Sequence, residues 1–384
     1  MSRTGRHLCR AATVAAGALL LVGCLLSSEQ RSIPINVADG LQAEFVVPHA
    51  EHPAALAFVP DGRILYTEKN TGKIRVIADN KLLDEPFATV PVNFANDRGL
   101  LGIAVHPNFN LNQRVYVFYT RSDTGLVSND PRAVVDQRVV YFEAGGDVAA
   151  GSEVFVASIP AEGDGSRVGG LIGFTDGGTL LVAIGDQGND NAAQDPGLLY
   201  GKILRYNDDG TIPGDNPDPN SPVYARGLRF PQGLGFDPIT EVAFVTDRNA
   251  SRFHEINRIE AGKDYGWPTV AGVATSAAQL AYAAETPEYA NPILDSGSST
   301  SPLVGATFNP STKYGPDNRL YFFYGEQSGG RVFSLELSAD RTAAVKSRLY
   351  ASGLPTPITD VVFTPSGTLY VASEDAILRI VLFP

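Results

Sequence analysis

One phrase returns along this chain: an apolar run, a turn built on Pro or Asp-Gly, and a second apolar run. It reads "ALAFVPDGRILYTE" from Ala55, "LGIAVHPNFNLNQRVYVFYT" from Leu101, "LIGFTDGGTLLVAIGD" from Leu171 and "LGFDPITEVAFVTD" from Leu234. "GATFNPSTKYGPDNRLYFFYGE" from Gly305 and "DVVFTPSGTLYVASE" from Asp360 bring the copies to six. Each copy is a β-hairpin whose strands are apolar on both faces, so each sheet must be covered on both sides. Further strands follow most copies, such as "GKIRVIAD" from Gly72 and "GRVFSLEL" from Gly330. Sheets repeated in this way around an axis make a propeller. The fold class is therefore all-β, a six-bladed β-propeller of four-stranded antiparallel blades. Such a ring must close. "LQAEFVV", Leu41–Val47, has no hairpin partner of its own and is expected to pair in one blade with the C-terminal "AILRIVLF". No stretch within the repeats shows sustained helical periodicity, and no break in composition divides them.

The N-terminus is a separate object. Arg3, Arg6 and Arg10 precede "AATVAAGALLLVGC", which is too short for a comfortable membrane span and has the layout of a secretion signal. It ends in "LVGC", Leu21 to Cys24, which resembles a bacterial lipobox, whose cysteine is acylated and becomes the mature N-terminus. The alternative is an ordinary signal peptide with an incidental cysteine. The lipobox reading gives a lipoprotein signal peptide over 1–23, a tether over 24–40 and the propeller over 41–384. The protein is then secreted across the inner membrane and lipid-anchored through Cys24, in the periplasm or at the cell surface. Cys9 leaves with the signal, so the mature chain has no disulfide and must be stabilised by its core. With 43% hydrophobic residues, material for that core is ample. A formal charge of -12 without a basic run excludes nucleic acid as a partner, because phosphate binding needs a cationic surface.

Between Gly185 and Pro268 the sequence becomes more specific. "IGDQGNDNAAQD", "GKILRYNDDGTIPGDNP", "RGLRFPQGLGFDP" and "HEINRIEAGKDYGWPTVAG" occur in that order, and "RGLLGIAVHPNFNLNQRVYVFYT" starts at Arg98. Together they resemble the soluble aldose sugar dehydrogenases that use pyrroloquinoline quinone (PQQ), the glucose/sorbosone dehydrogenase family. The resemblance covers the chain from about Leu41 onward. It implies a six-bladed propeller with quinone and sugar over the central axis. There a histidine accepts the proton of the anomeric hydroxyl while hydride passes to the quinone. It implies calcium as well, polarising the quinone carbonyl, with Arg, Lys and Asn holding the quinone's carboxylates and oxygens.

Counting back from "IGDQG", the family's histidine falls on Arg167. An arginine stays protonated and cannot serve as the base. Other departures agree. Arg98 stands where quinone-using relatives have Gln, although other branches carry Arg. In "RFPQG", Arg229 and Gln232 match the family pattern, while Phe230 replaces an asparagine that contacts the quinone. No lysine stands at the carboxylate-holding position near "VGATFNPSTKYG", Lys313 coming too late. Pro357 and Thr359 occupy places where the glucose enzymes have arginines. These departures count against PQQ in this chain.

The pocket candidates are Arg98, Arg167, Asp186, Gln187, Arg229, Phe230 and Gln232. Arg98, Arg167 and Arg229 are expected at the axial mouth, either as a cationic site for an anionic ligand such as a carboxylated sugar, or neutralised by carboxylates including Asp186. Asp186, Gln187 and Asn189 either reach the ligand or satisfy loop backbone. Glu255 and Tyr265 match a pair that helps bind calcium in the aldose dehydrogenases. "NDDGTIPGDNPDPN", from Asn207, is read as turns in preference to a cation loop. His106 is read as turn packing, His49 and His52 as solvated on the entry loop, and Trp267 as core. Two functions follow: a sugar oxidoreductase of the family type, or a non-catalytic propeller that binds an anionic sugar or a protein partner.

Overall fold

The computed structural model describes residues 35–38, 40–313 and 318–382. The stretch read as a secretion signal, Cys24 and most of the stretch read as a tether lie outside the described residues. Six antiparallel sheets follow one another in chain order. Their inner strands are Pro53–Phe58, Leu100–Val105, Gly169–Phe174, Pro231–Phe236, Leu303–Phe308 and Ile358–Phe363, opening blades 1 to 6. Each inner strand pairs with the strand that follows it, so the repeated phrase is the inner half of a blade.

Leu41–Val47 closes the ring. It runs antiparallel to Ile377–Leu382 as the outer strand of blade 6, so one blade is built from both ends of the chain. The described structure begins its pairing earlier than expected. Asn36–Val37, inside the stretch read as tether, pairs with Ser352 and Ala351 at the rim of blade 5. Val37 also packs on the apolar cluster between blades 5 and 6, which gives this segment a reason to dock.

Six apolar clusters fill the six junctions between neighbouring blades. The Tyr116 ring of blade 2 meets Phe174 of blade 3, for example, and Phe244 of blade 4 meets Phe322 of blade 5. Every sheet is thus sandwiched, which is why its strands read as continuous apolar runs. Near the axis the blades are close enough to demand glycine. A Cβ on Gly102 would lie 2.4 Å from the Gly170 oxygen, and one on Gly233 would lie 2.3 Å from the Gly305 carbonyl carbon.

All six inner strands share a further feature. Each slips register close to its start, between Pro53 and Leu56, Leu100 and Gly102, Gly169 and Leu171, Pro231 and Gly233, Val304 and Thr307, and Ile358 and Asp360. A bulge frees a residue from the ladder and re-aims its side chain. Here the freed side chains sit at the axial end of each blade.

A helix also forms where none was read. Ala277–Glu285 lies between the third and fourth strands of blade 4, opened by a capping box in which Ser276 and Gln279 exchange hydrogen bonds. It buries no residue, so it has no apolar stripe for periodicity to reveal.

Candidate functional site at the axial cavity

The bulges surround a cavity of about 310 Å³ at the axial end of the inner strands. Ala54, Leu101, Gln232 and Thr359 enter it from bulges, and Gly169, Leu171 and Val304 flank the bulged glycines of blades 3 and 5. Loops leaving the second strands add a polar rim. Lys69, Gln327 and Glu374 each follow directly after such a strand. His52, from the link between blades 6 and 1, and Asp97, from the link between blades 1 and 2, complete the charged lining.

Of the sequence candidates, Phe230 and Gln232 line this cavity. Both are held within blade 4: the Phe230 amide donates at 2.6 Å to Asp247, the last residue of the second strand, and the Gln232 side chain donates to the Pro231 carbonyl at 3.1 Å. The expected arginine patch does not form. Arg98 is only 1% exposed, and its guanidinium donates to the carbonyls of Pro131, Glu162 and Gly163. It clamps two loops instead of facing a ligand.

Arg167 is held from all sides. Its backbone sits in the left-handed region, its amide donates to Asp97 at 2.7 Å, and its guanidinium donates to Asp186 at 2.6 Å and to Asp190 at 2.8 Å. Arg229 lies over the Trp267 ring, with 5.1 Å from guanidinium carbon to ring centre, and donates to the Arg248 carbonyl. Burial, with Arg167 as the next cause, pulls its pKa down. Arg167 thus follows the alternative in which carboxylates, Asp186 among them, neutralise the charge, while Arg229 rests on an aromatic face with its buried Nε unpartnered. The reason is reach: long guanidinium side chains swing to the nearest fixed acceptor when the pocket is partly dry.

Asp186 and Gln187 do not open into the cavity. Asp186 is fully buried and accepts from Arg167, the Gly188 amide and the Trp267 indole. Burial pushes its carboxyl above the ordinary range, and Arg167 pulls against it. Gln187 bonds Gln137 side chain to side chain at 2.7 Å, between blades 2 and 3. Trp267, read as core, anchors Asp186 as well. His106 packs in its turn, accepting from the Asn108 amide at 3.0 Å.

Glu255 and Tyr265 are not brought together as calcium ligands. The Glu255 carboxylate receives N–H donors from Asn249, Asn257 and Gly272, and the Tyr265 hydroxyl bridges the Arg258 carbonyl and the Glu260 amide. N–H groups facing a carboxylate occupy the lone pairs a cation would need. Among the described residues no three His, Cys, Asp or Glu side chains cluster as a metal site. The "NDDG" loop is turn chemistry, with Asp209 accepting from the Thr211 amide and Asp218 from the Asn220 amide.

Glu255 faces Asp247 across two paired strands. Burial, reinforced by Asp247, pushes Glu255 up to about 8 from an ordinary 4.5. The folded state then holds a proton that the unfolded chain releases, so stability falls as pH rises through this window. Between about pH 6.5 and 8, urea titrations should show unfolding free energy falling by up to ~1.4 kcal/mol per pH unit. Glu255→Gln should flatten that slope. A wild-type curve that rises with pH there would contradict the assignment.

Sequence reasoning passed over the charged rim. His52, read as solvated, has a side chain 44% exposed and also lines the cavity, its Nδ1 3.0 Å from a Glu374 carboxylate oxygen. The signal lay in the repeat: aligning the residue after each second strand brings Lys69, Gln327 and Glu374 to one level.

The family model described as glucose/sorbosone dehydrogenase matches residues 50–381. The chain belongs to this family. The aldose sugar dehydrogenase YliI of Escherichia coli is 27% identical over 91% of this chain and 94% of its own length. An uncharacterized protein of Synechocystis, slr1608, is 33% identical over 65% of this chain and 66% of its own. The PQQ-bound aldose sugar dehydrogenase of Streptomyces coelicolor shares the fold at a TM-score of 0.73, with 23% identity over 90% of this chain and 99% of that one.

The quinone of this glucose/sorbosone dehydrogenase family carries several carboxylates and needs cations to hold them. Here the cavity sets Lys69 and His52 against Asp97 and Glu374, with Pro357 and Thr359 on the wall and Phe230 beside them. Arg98 and Arg167 are engaged elsewhere, and Arg229, whose buried Nε has no partner, is not among the lining residues. The lining itself, with Asp97 and Glu374 set against Lys69 and His52, is a poor match for a multiply charged quinone.

Proposed function

We propose that this glucose/sorbosone dehydrogenase family member is a lipid-anchored, extracytoplasmic propeller that binds a sugar in its axial cavity without the family's proton-accepting histidine. The observation that carries this reading is Arg167, at the position counted for that histidine, tied to Asp186 and Asp190. A guanidinium in that state takes up no further proton. Sugar binding is supported by the lining, in which carboxylate, amide, hydroxyl, amine and imidazole groups alternate with apolar wall, as polyhydroxylated ligands require. With Asp97 and Glu374 on the rim, neutral sugars suit it better than the carboxylated ones first considered.

Anchoring rests on "LVGC", with Cys24 as the first mature residue. Mass spectrometry of the native N-terminus checks it. The function itself is tested with purified protein, PQQ, calcium and an aldose. Calorimetry should register neutral-sugar binding that does not depend on quinone, and dye reduction should stay at background. Dye reduction at the rate of an active sugar dehydrogenase run in parallel would overturn the reading.

A further inference from the structure

His52 is set as an acid–base group is set. Its amide donates to the Glu374 carbonyl at 3.0 Å, its carbonyl accepts from the Lys69 amide at 2.9 Å, and its backbone is held in the left-handed region. These bonds fix the backbone from which the ring projects, its side chain 44% exposed. Its Nδ1 lies 3.0 Å from a Glu374 carboxylate oxygen, the arrangement in which a neutral imidazole keeps its hydrogen on Nδ1 and its lone pair on Nε2. Both residues line the cavity.

Lys69 lines the same wall. Its amine donates to the Asn96 carbonyl at 2.7 Å, which leaves two N–H groups. Burial lowers its pKa, while Asp97 and Glu374 support the charge, so it gives up a proton more readily than a solvated lysine. A proton acceptor and a proton donor therefore line one cavity, contributed by segments whose backbones are bonded to each other, and away from the locked Arg167.

We infer that His52 and Lys69 are the general base and general acid of the axial cavity, and that they interconvert the anomers of a bound aldose. The inference rests on the sugar-binding reading above. His52 Nε2 takes the proton of the C1 hydroxyl, and the electrons of that O–H bond form the C1=O bond. The bond from C1 to the ring oxygen breaks, and that oxygen takes a proton from the Lys69 ammonium. After the C1–C2 bond rotates, the reverse steps close the ring on the other face and return both protons. Nothing is oxidised or reduced, and no co-reactant is needed. Glu374 is the positioning residue that fixes the imidazole tautomer.

The test uses the whole mature protein and freshly dissolved α-anomers of D-glucose, D-galactose and D-xylose. Polarimetry or NMR follows anomer exchange against a protein-free blank, and calorimetry measures binding of the same sugars. Wild type should accelerate exchange of a sugar that it binds. General-base contributions of about 10²–10⁴-fold mean that His52→Gln should lose at least ~100-fold of the acceleration. Lys69→Gln should lose most of it too, with cooperative thermal unfolding near the wild-type temperature in both variants as evidence of an intact fold. Binding without acceleration, or full acceleration in His52→Gln, would overturn the inference and leave the sugar-binding reading standing. Absence of binding by all three sugars would overturn both.

Discussion

A chain lacking residues 41–47 should not fold to a stable monomer. The deletion strips the outer strand from blade 6 and exposes the whole edge of Ile377–Leu382. It also takes Val47 from the junction of blades 6 and 1, and Leu41 and Ala43 from the junction of blades 5 and 6. An unpaired hydrophobic edge is a template for association. The expected loss is on the order of the entire stability of a domain, ~5–15 kcal/mol. Size-exclusion chromatography should show aggregate, and thermal unfolding should lose its cooperative step. A truncated monomer that melts cooperatively near the full chain's temperature would show that the ring does not depend on this closure.

Asp186→Ala should be the most damaging single substitution at the site. The carboxylate is fully buried and serves Arg167, Trp267 and the Gly188 amide at once. Its removal strands a guanidinium nitrogen and two N–H donors in a dry place. Breaking one side of a buried pair in this way costs about 3–5 kcal/mol, read by urea denaturation. Arg167→Met in the Asp186→Ala background should recover part of that loss, because the guanidinium nitrogen that lost its acceptor leaves with the arginine. A double variant no more stable than Asp186→Ala would place the cost in Trp267 and the loop amides instead.

The blades were legible because burial on both faces writes itself as uninterrupted apolar runs. The closure was legible because Leu41–Val47 lacked a local partner. Direction of side chains was not. Arg98 lies near the axial end in sequence terms, yet its partners are carbonyls of Pro131, Glu162 and Gly163, which no spacing connects to it. Arg167 and Arg229 are near the mouth, but their charges are spent on Asp186, Asp190 and Trp267. Resemblance led to the ancestral machinery, and so to position 167. His52 gains its place through the closure of blade 6, where the Glu374 carbonyl meets the segment that leads into blade 1. The helix Ala277–Glu285 escaped for the opposite reason: it packs too little to leave a pattern.

The six register slips carry a consequence for how such a protein diverges. A residue that belongs to a ladder is answerable to its cross-strand partner, so exchanging it tests the sheet as well as the ligand. Ala54, Gln232 and Thr359 are released from that obligation, since their neighbours on the second strand pair past them; Leu101, equally freed from its ladder, is still held by the core between blades 2 and 3. Lineages can therefore exchange the first three side chains, and with them the chemistry of the chamber, at little cost to the sheets. The same three positions are where a designed library would sample new ligands with the fewest casualties among its members.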